Sequence, residues 1–211
     1  MHFLKRYKAL WYGISALFSL VIVRIGYTHT FRFAFLFWNF FLALLPLYFS
    51  FRFRNCGGTK SKWLFAGLWL MFFPNSAYLL TDIVHLSHGG HVLYWLDVMI
   101  LFSAGMYGLV ISMQSLKEME NWYGQFVSRR MKHCITAILL LTCGYGIYLG
   151  RIERWNSWDV VAQPYDLLQA IFHHARHPFQ RREVWYMTLV FAVGLQIIYS
   201  LFGRRNSILK G

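Results

Sequence analysis

Asp82 and His85 are the residues whose types and spacing best suit chemistry, because a carboxylate and an imidazole lie three positions apart. On a helix, residues three apart share one face, so these two side chains would stand side by side. Such a pair suits general acid–base catalysis, proton relay or ligation of a metal ion. The alternative is a helix cap or a salt bridge at the membrane surface. We predict Asp82 and His85 as catalytic residues, and as the ligands of a metal if one is bound.

The pair ends an apolar stretch, WLMFFPNSAYLLTDIVHL, that contains a helix breaker and an amide. Proline removes a backbone hydrogen bond and clashes with the preceding turn, so we predict a kink or break at Pro74. If the helix starts near Trp63, Pro74 lies roughly 16 Å along it, close to the middle of a bilayer. Asn75 and Tyr78 follow and are predicted to bind substrate. The alternative is a packing kink in which Asn75 links helices by hydrogen bonds.

Asp97 lies about one turn into the next apolar segment, in the sequence YWLDVM. A carboxylate below the membrane surface should face the protein interior or water, because exposure to hydrocarbon is costly. We predict Asp97 as a third catalytic group, acting as an acid, a base or a proton relay. The alternative is a buried aspartate paired with an arginine.

A second dense motif, GRIERWNSWD, follows the fifth apolar segment at residues 150–159. On a helix, Arg151 and Arg154 would share a face and could clamp a phosphate or carboxylate group. Asn156 and Asp159 add polar groups on adjoining faces. We predict these four residues as substrate-binding.

Trp155 and Trp158 are also three positions apart, the spacing of an aromatic anchor at the membrane interface. The alternative for the whole motif is an amphipathic helix on the membrane surface, with its arginines contacting lipid phosphate.

Histidines repeat at three-residue spacing in His85, His88 and His91, and again in HHARH at residues 173–177. Such clusters can bind metal ions, but Gly89 and Gly90 argue against a continuous helix through the first one. The cofactor therefore stays open, with a divalent metal as the option that these residues suggest.

Composition places the chain in the membrane. Of its 211 residues, 57% are hydrophobic and only 14% are charged, against about 25% charged in soluble domains. The net charge of +13 comes from short basic clusters between apolar runs. That pattern fits membrane topology and anionic headgroups, so we predict lipid as the partner and exclude nucleic acid. A homo-oligomer or a larger membrane complex stays open.

Six apolar segments are long enough to span a bilayer. We predict an all-α polytopic bundle forming a single integral membrane domain over residues 1–211, with an amphipathic or interfacial helix after the fifth span. The predicted spans are residues 9–27, 31–51, 63–80, 92–115, 133–150 and 184–203.

Orientation follows from the basic residues, since 14 of the 21 Lys and Arg side chains fall on alternate loops. Cytoplasmic loops are enriched in these residues, so both termini are predicted to be cytoplasmic in a multi-pass protein of the cell membrane. Asp82, His85, Asp97 and the GRIERWNSWD motif then lie at the outer face. We predict that they converge on one extracytoplasmic site.

The segments PNSAYLLTDIVHL, WLD and GIYLGRIERWNSWD resemble the hallmarks of an uncharacterised bacterial family of polytopic membrane proteins, of the "domain of unknown function" type. The resemblance, to PNxxYxxTDxxHL and GRxxRWNSWD, covers about residues 64–200. Members often have proline where this chain has Ala77, which implies a softer break. The resemblance implies no activity. It does imply that the family pattern includes Pro74, Asn75, Tyr78, Thr81, Asp82, His85, Asp97, Arg151, Arg154, Trp155, Asn156, Trp158 and Asp159.

Three functions are compatible with these features. The mixture of carboxylates, an imidazole and paired arginines favours a membrane enzyme acting on an anionic or lipid-linked substrate. A broken third span and a submerged Asp97 are also typical of a small proton-coupled transporter. The many aromatic residues would suit a structural or assembly subunit of a membrane complex. Whether the protein is an enzyme stays open from the sequence.

Overall fold

The computed structural model describes residues 2–86 and 93–208, and the side chains of residues 3–86 and 93–202. This described part consists of nine α-helices and one 3₁₀ helix and contains no strand, which confirms the predicted all-α class. The α-helices are α1 (His2–Arg6), α2 (Lys8–Thr28), α3 (Phe35–Asn55), α4 (Thr59–Tyr78), α5 (Tyr94–Tyr123), α6 (Arg129–Arg151), α7 (Asp159–Ala162), α8 (Pro164–Arg176) and α9 (Arg182–Ile208), and the 3₁₀ helix Leu79–His85 follows α4 directly.

Six segments of the described chain are long and apolar enough to cross a membrane, as predicted, so this is a multi-pass membrane protein. The second span begins at Phe35 rather than at residue 31, because His29 ends α2 in a left-handed conformation and a short connection follows. The fourth continues to Tyr123 rather than ending at residue 115. The spans are Lys8–Thr28, Phe35–Asn55, Thr59–His85, Tyr94–Tyr123, Arg129–Arg151 and Arg182–Phe202.

The third span is not broken at Pro74, and the predicted kink there stays a prediction. The helix type changes farther along, at Leu79. α4 continues through Pro74 to Tyr78, and the tighter 3₁₀ helix begins at the next residue. A proline costs a helix one backbone hydrogen bond, which packing within a helical bundle tolerates. Near the change, a methyl group on Gly108 of α5 would lie 2.4 Å from the carbonyl oxygen of Ser76. The backbones of α4 and α5 therefore touch where the third span tightens.

The chain divides into two compact units, Met1–Glu118 (unit 1) and Met119–Gly211 (unit 2), which are described separately below. In unit 1, α3 packs along α4 through aromatic rings, with Phe49 and Phe72 centred 5.8 Å apart. A buried core joins α2, α3, α5 and the 3₁₀ helix, and it holds the ends of these helices in place. That a single domain covers residues 1–211 stays a prediction.

In unit 2, α6 packs closely against α9, since a methyl group on Gly144 would lie 2.5 Å from the Thr188 carbonyl oxygen. The amphipathic helix predicted after the fifth span is α8. Its inner face buries Leu167 and His174. Successive residues of an α-helix are rotated by about 100° around its axis, and on this basis the opposite face carries an exposed apolar stripe. The stripe consists of Tyr165, Leu168 and Phe172.

Candidate functional site

The 3₁₀ helix places Asp82 and His85 on one face, because residues three apart are eclipsed in this geometry. That face packs against the first turns of α3. The Asn39 side-chain amide donates to Asp82 Oδ2 over 2.9 Å, and the rings of Phe35 and His85 are centred 4.8 Å apart. Phe35 and Asn39 are themselves one helical turn apart. The result is a two-step ladder, with the carboxylate one turn deeper than the imidazole.

The two steps of this ladder differ in exposure. Asp82 is 0% exposed, whereas His85 is exposed at the end of the helix. Arg32 lies beside His85, because its guanidinium donates to the His85 carbonyl oxygen over 2.7 Å. A cation at a helix C-terminus is favourable, since the last carbonyl groups carry partial negative charge. An anionic group that approaches His85 therefore also approaches Arg32.

Asp97, at the start of α5, forms a buried ion pair with Arg24 of α2. The Arg24 guanidinium donates to both carboxylate oxygens, over 2.7 and 3.1 Å, and the two side chains are 5% and 0% exposed. The same guanidinium lies 4.4 Å from the centre of the Phe33 ring. It also donates to the hydroxyl groups of Thr28 and Thr30. This is the arginine-paired alternative considered above, and it satisfies most donors of a charge inside a membrane helix.

Together these contacts define the polar end of unit 1, where α2 ends, α3 begins, the 3₁₀ helix ends and α5 begins. Its members include five residues that the sequence reasoning missed, and two of them carry a signal. Arg24 and Asn39 lie inside apolar spans, where a charge or an amide indicates a partner. The polar end comprises Arg24, Thr28, Thr30, Arg32, Asn39, Asp82, His85 and Asp97.

Asn75 and Tyr78 lie in the last turn and a half of α4, and both side chains are half-buried. The Tyr78 carbonyl oxygen accepts a hydrogen bond from the Thr81 hydroxyl over 2.6 Å, which satisfies one carbonyl at the junction with the 3₁₀ helix. Their part in substrate binding stays a prediction.

The GRIERWNSWD motif is not helical along its length, so the predicted helical faces do not exist. α6 ends at Arg151, and Arg154 adopts a left-handed conformation with φ of 63°. The chain reverses direction here, and the backbone N–H of Trp155 donates to the Leu149 carbonyl oxygen over 3.1 Å. Of the two arginines, only Arg151 is part of a helix, so it and Arg154 do not share a helix face. The sequence did not predict this turn, because positive φ is uncommon outside Gly, Asn and Asp and the residue here is an arginine.

Polar side chains stabilise this turn. The Asp159 carboxylate accepts from the Asn156 backbone N–H over 2.6 Å and from its side-chain amide over 3.3 Å. Asp159 is buried, whereas Asn156 is exposed. The Trp155 indole N–H donates to Glu153 over 3.1 Å, and Trp158 is 40% exposed. The predicted substrate-binding and interface roles of these residues stay predictions.

Metal binding finds no support in the described residues. Among the described side chains, those of residues 3–86 and 93–202, no three His, Cys, Asp or Glu residues are grouped so as to hold a metal ion. His88 and His91, two members of the first histidine repeat, lie outside the described residues. Asp82 and His85 would supply two donors of the four that a typical zinc site needs.

The residues that are predicted to converge on one site belong to different units. Asp82, His85 and Asp97 lie in unit 1, and the GRIERWNSWD motif lies in unit 2. The structure does bring the three residues of unit 1 to one end of that unit. A site shared with Arg151 stays a prediction.

Comparison with known proteins places the chain in a family. No curated protein and no solved structure matches it. One family model matches residues 38–198, which includes Asn39, Asp82, His85 and Asp97 and leaves out Arg24. Because the match covers well over half of the sequence, this chain belongs to the family described as protein of unknown function (DUF1361).

Proposed function

We propose that this multi-pass membrane protein is an enzyme that carries out acid–base chemistry on an anionic or lipid-linked substrate at the polar end of unit 1. The observation that carries the proposal is the ladder of Asp82 and His85, in which a buried carboxylate lies one 3₁₀ turn beneath an exposed imidazole. An exposed imidazole can reach a substrate and exchange a proton with it.

The residues of the polar end would have different roles in the reaction. His85 would exchange the proton, and Asp82, bound by Asn39, would stabilise positive charge near the imidazole. Arg32, beside the His85 carbonyl, would attract the negative group of the substrate. The pair of Arg24 and Asp97 would be the rigid floor of the site.

The substrate class follows from the position of the site. The polar end lies at the ends of membrane-spanning helices, where headgroups and small anions are both within reach. With both termini in the cytoplasm of the cell, as the basic loops predict, this end faces the outer leaflet. A phosphate group, free or carried by a lipid, would suit both Arg32 and His85.

The test uses the purified protein in nanodiscs of membrane lipid extract, followed by mass spectrometry of the lipids and the soluble products. The variants are His85→Gln and Asp82→Asn, and His29→Asn is the matched control, because His29 is an exposed histidine in the nearby loop. We expect a product that depends on the protein, persists in the control and falls at least about tenfold in both variants. The same product yield from His85→Gln as from the native chain would refute the proposal.

A proton-coupled carrier is a second candidate, favoured by the buried pair of Arg24 and Asp97 between two membrane-spanning helices. Protonation of Asp97 would release Arg24 for an anionic cargo, which couples proton binding to anion binding. Proton flux into proteoliposomes would then require Asp97 and stop in Asp97→Asn. Proteoliposomes that show no flux above empty vesicles, across a range of anions, would exclude the carrier.

A further inference from the structure

His174, on the inner face of α8, is bonded through both ring nitrogens. Its Nε2 lies 2.8 Å from Glu153 Oε1, and its Nδ1 lies 2.9 Å from the Tyr145 hydroxyl. The imidazole is almost fully buried, at 3% side-chain exposure. Neither the GRIERWNSWD motif nor HHARH alone predicts this contact, since it joins one residue from each motif to a tyrosine of α6.

The bonding pattern allows proton transfer from Tyr145 to His174. In the tautomer that carries the proton on Nε2, this N–H donates to the Glu153 carboxylate. Nδ1 is then the acceptor for the hydroxyl proton of Tyr145. A carboxylate, an imidazole and a hydroxyl in this order are the arrangement that activates a serine in hydrolases, with a phenol in place of the serine.

The surroundings hold each member in place. The second carboxylate oxygen of Glu153 accepts from the Trp155 indole over 3.1 Å. The half-buried ring of Tyr145 is stacked on Trp185 of α9, with an angle of 13° between the planes. The turn at Arg154 reverses the chain directly after Glu153. A contact that only joined two helices would not need this many bonds around a half-buried hydroxyl. A reactive group does need them, because it must be held in one position.

We propose that Tyr145 is a second acid–base residue of this protein, positioned by His174 and Glu153, for a substrate that carries a hydroxyl or phosphate group. Tyr145 gives its proton to His174 Nδ1 and takes one from the substrate oxygen. The imidazolium is stabilised by Glu153 and returns the proton when the step reverses. The atoms balance without a cofactor, and the residues lie in unit 2, so this proposal is argued without the residues invoked for unit 1.

The test is the reactivity of Tyr145 toward an aryl sulfonyl fluoride in the detergent-purified protein. The phenol oxygen bonds to sulfur, fluoride leaves, and the phenol proton passes to His174. Tyr165 is the internal reference, because it is 76% exposed in the same unit. Peptide mass spectrometry gives the two labelling rates in one sample. We expect Tyr145 to react at least about tenfold faster than Tyr165 near neutral pH, and His174→Gln to remove that excess.

Glu153→Gln supplies a second variant if His174→Gln does not fold. It keeps a carbonyl oxygen for the Nε2–H and removes the charge that stabilises the imidazolium, so Tyr145 labelling should fall several-fold relative to Tyr165. Tyr145 labelling no faster than Tyr165, or a ratio unchanged by loss of the charge, would overturn the proposal and leave a purely structural tie between α8 and α6.

Discussion

Removing one partner of the buried pair of Arg24 and Asp97 should be more damaging than removing both charges. In Arg24→Met, the carboxylate of Asp97 stays at 0% exposure without its bidentate cation. In Asp97→Asn, the guanidinium of Arg24 loses its counter-charge while it remains 5% exposed. Neither group can recover its hydration without opening the helix bundle.

The size of the effect follows from the geometry. Breaking a buried ion pair by removing one partner costs about 3–5 kcal/mol, because an uncompensated charge is left inside the protein. The double variant has no buried charge and should lose only about 2–4 kcal/mol of stability, mainly from the four hydrogen bonds that Arg24 makes to Asp97, Thr28 and Thr30. The coupling free energy in a double-mutant cycle should therefore exceed about 2 kcal/mol.

The assay is reversible unfolding of the protein from mixed micelles by SDS, followed by tryptophan fluorescence. Arg181 and Glu183 provide the matched pair, because their side chains are 48% and 55% exposed and 3.9 Å apart. Exposed pairs couple by at most about 1 kcal/mol. A coupling of Arg24 with Asp97 that is no larger than that of the exposed pair would refute the reasoning.

Two further predictions concern packing and alkaline stability. Gly108→Ala should lower the free energy of unfolding by about 1–3 kcal/mol, because the new methyl group would meet a carbonyl oxygen of α4 at 2.4 Å. In the same unfolding experiment Gly67→Ala should not lower this free energy, because its methyl group would meet open space. Burial is the main cause that raises the pKa of Tyr7, and the Glu118 carboxylate is the second. The tyrosine therefore ionises at lower pH in the unfolded chain than in the folded one. The free energy of unfolding should fall as the pH rises above the ordinary tyrosine pKa of about 10. Tyr7→Phe should therefore raise the pH midpoint of alkaline unfolding, whereas Tyr12→Phe, at a side chain 64% exposed, should leave it unchanged.

The spans could be predicted because the thickness of a bilayer sets the length of an apolar helix. The shared face of Asp82 and His85 was predictable as well, since a three-residue spacing aligns side chains in either helix type. The partners were not. Arg24 is 73 positions away from Asp97, and Asn39 is 43 positions away from Asp82. Such pairings depend on how helices pack, and a single sequence does not specify that packing.

The GRIERWNSWD motif shows how a helical reading fails. Its charges recur at helical spacing, but the left-handed Arg154 separates them into two groups with different surroundings. Asp159 is buried and accepts hydrogen bonds from Asn156, and Glu153 forms an ion pair or hydrogen bond with His174 of α8. Arg154 and Asn156 are exposed. The carboxylates of this turn are therefore engaged within unit 2, and the Asn156 side-chain amide donates to one of them. That Arg154 and Asn156 bind an anionic group stays a prediction. A helix would have presented both signs of charge to the same surroundings, whereas the turn buries the Asp159 carboxylate and leaves the Arg154 guanidinium exposed.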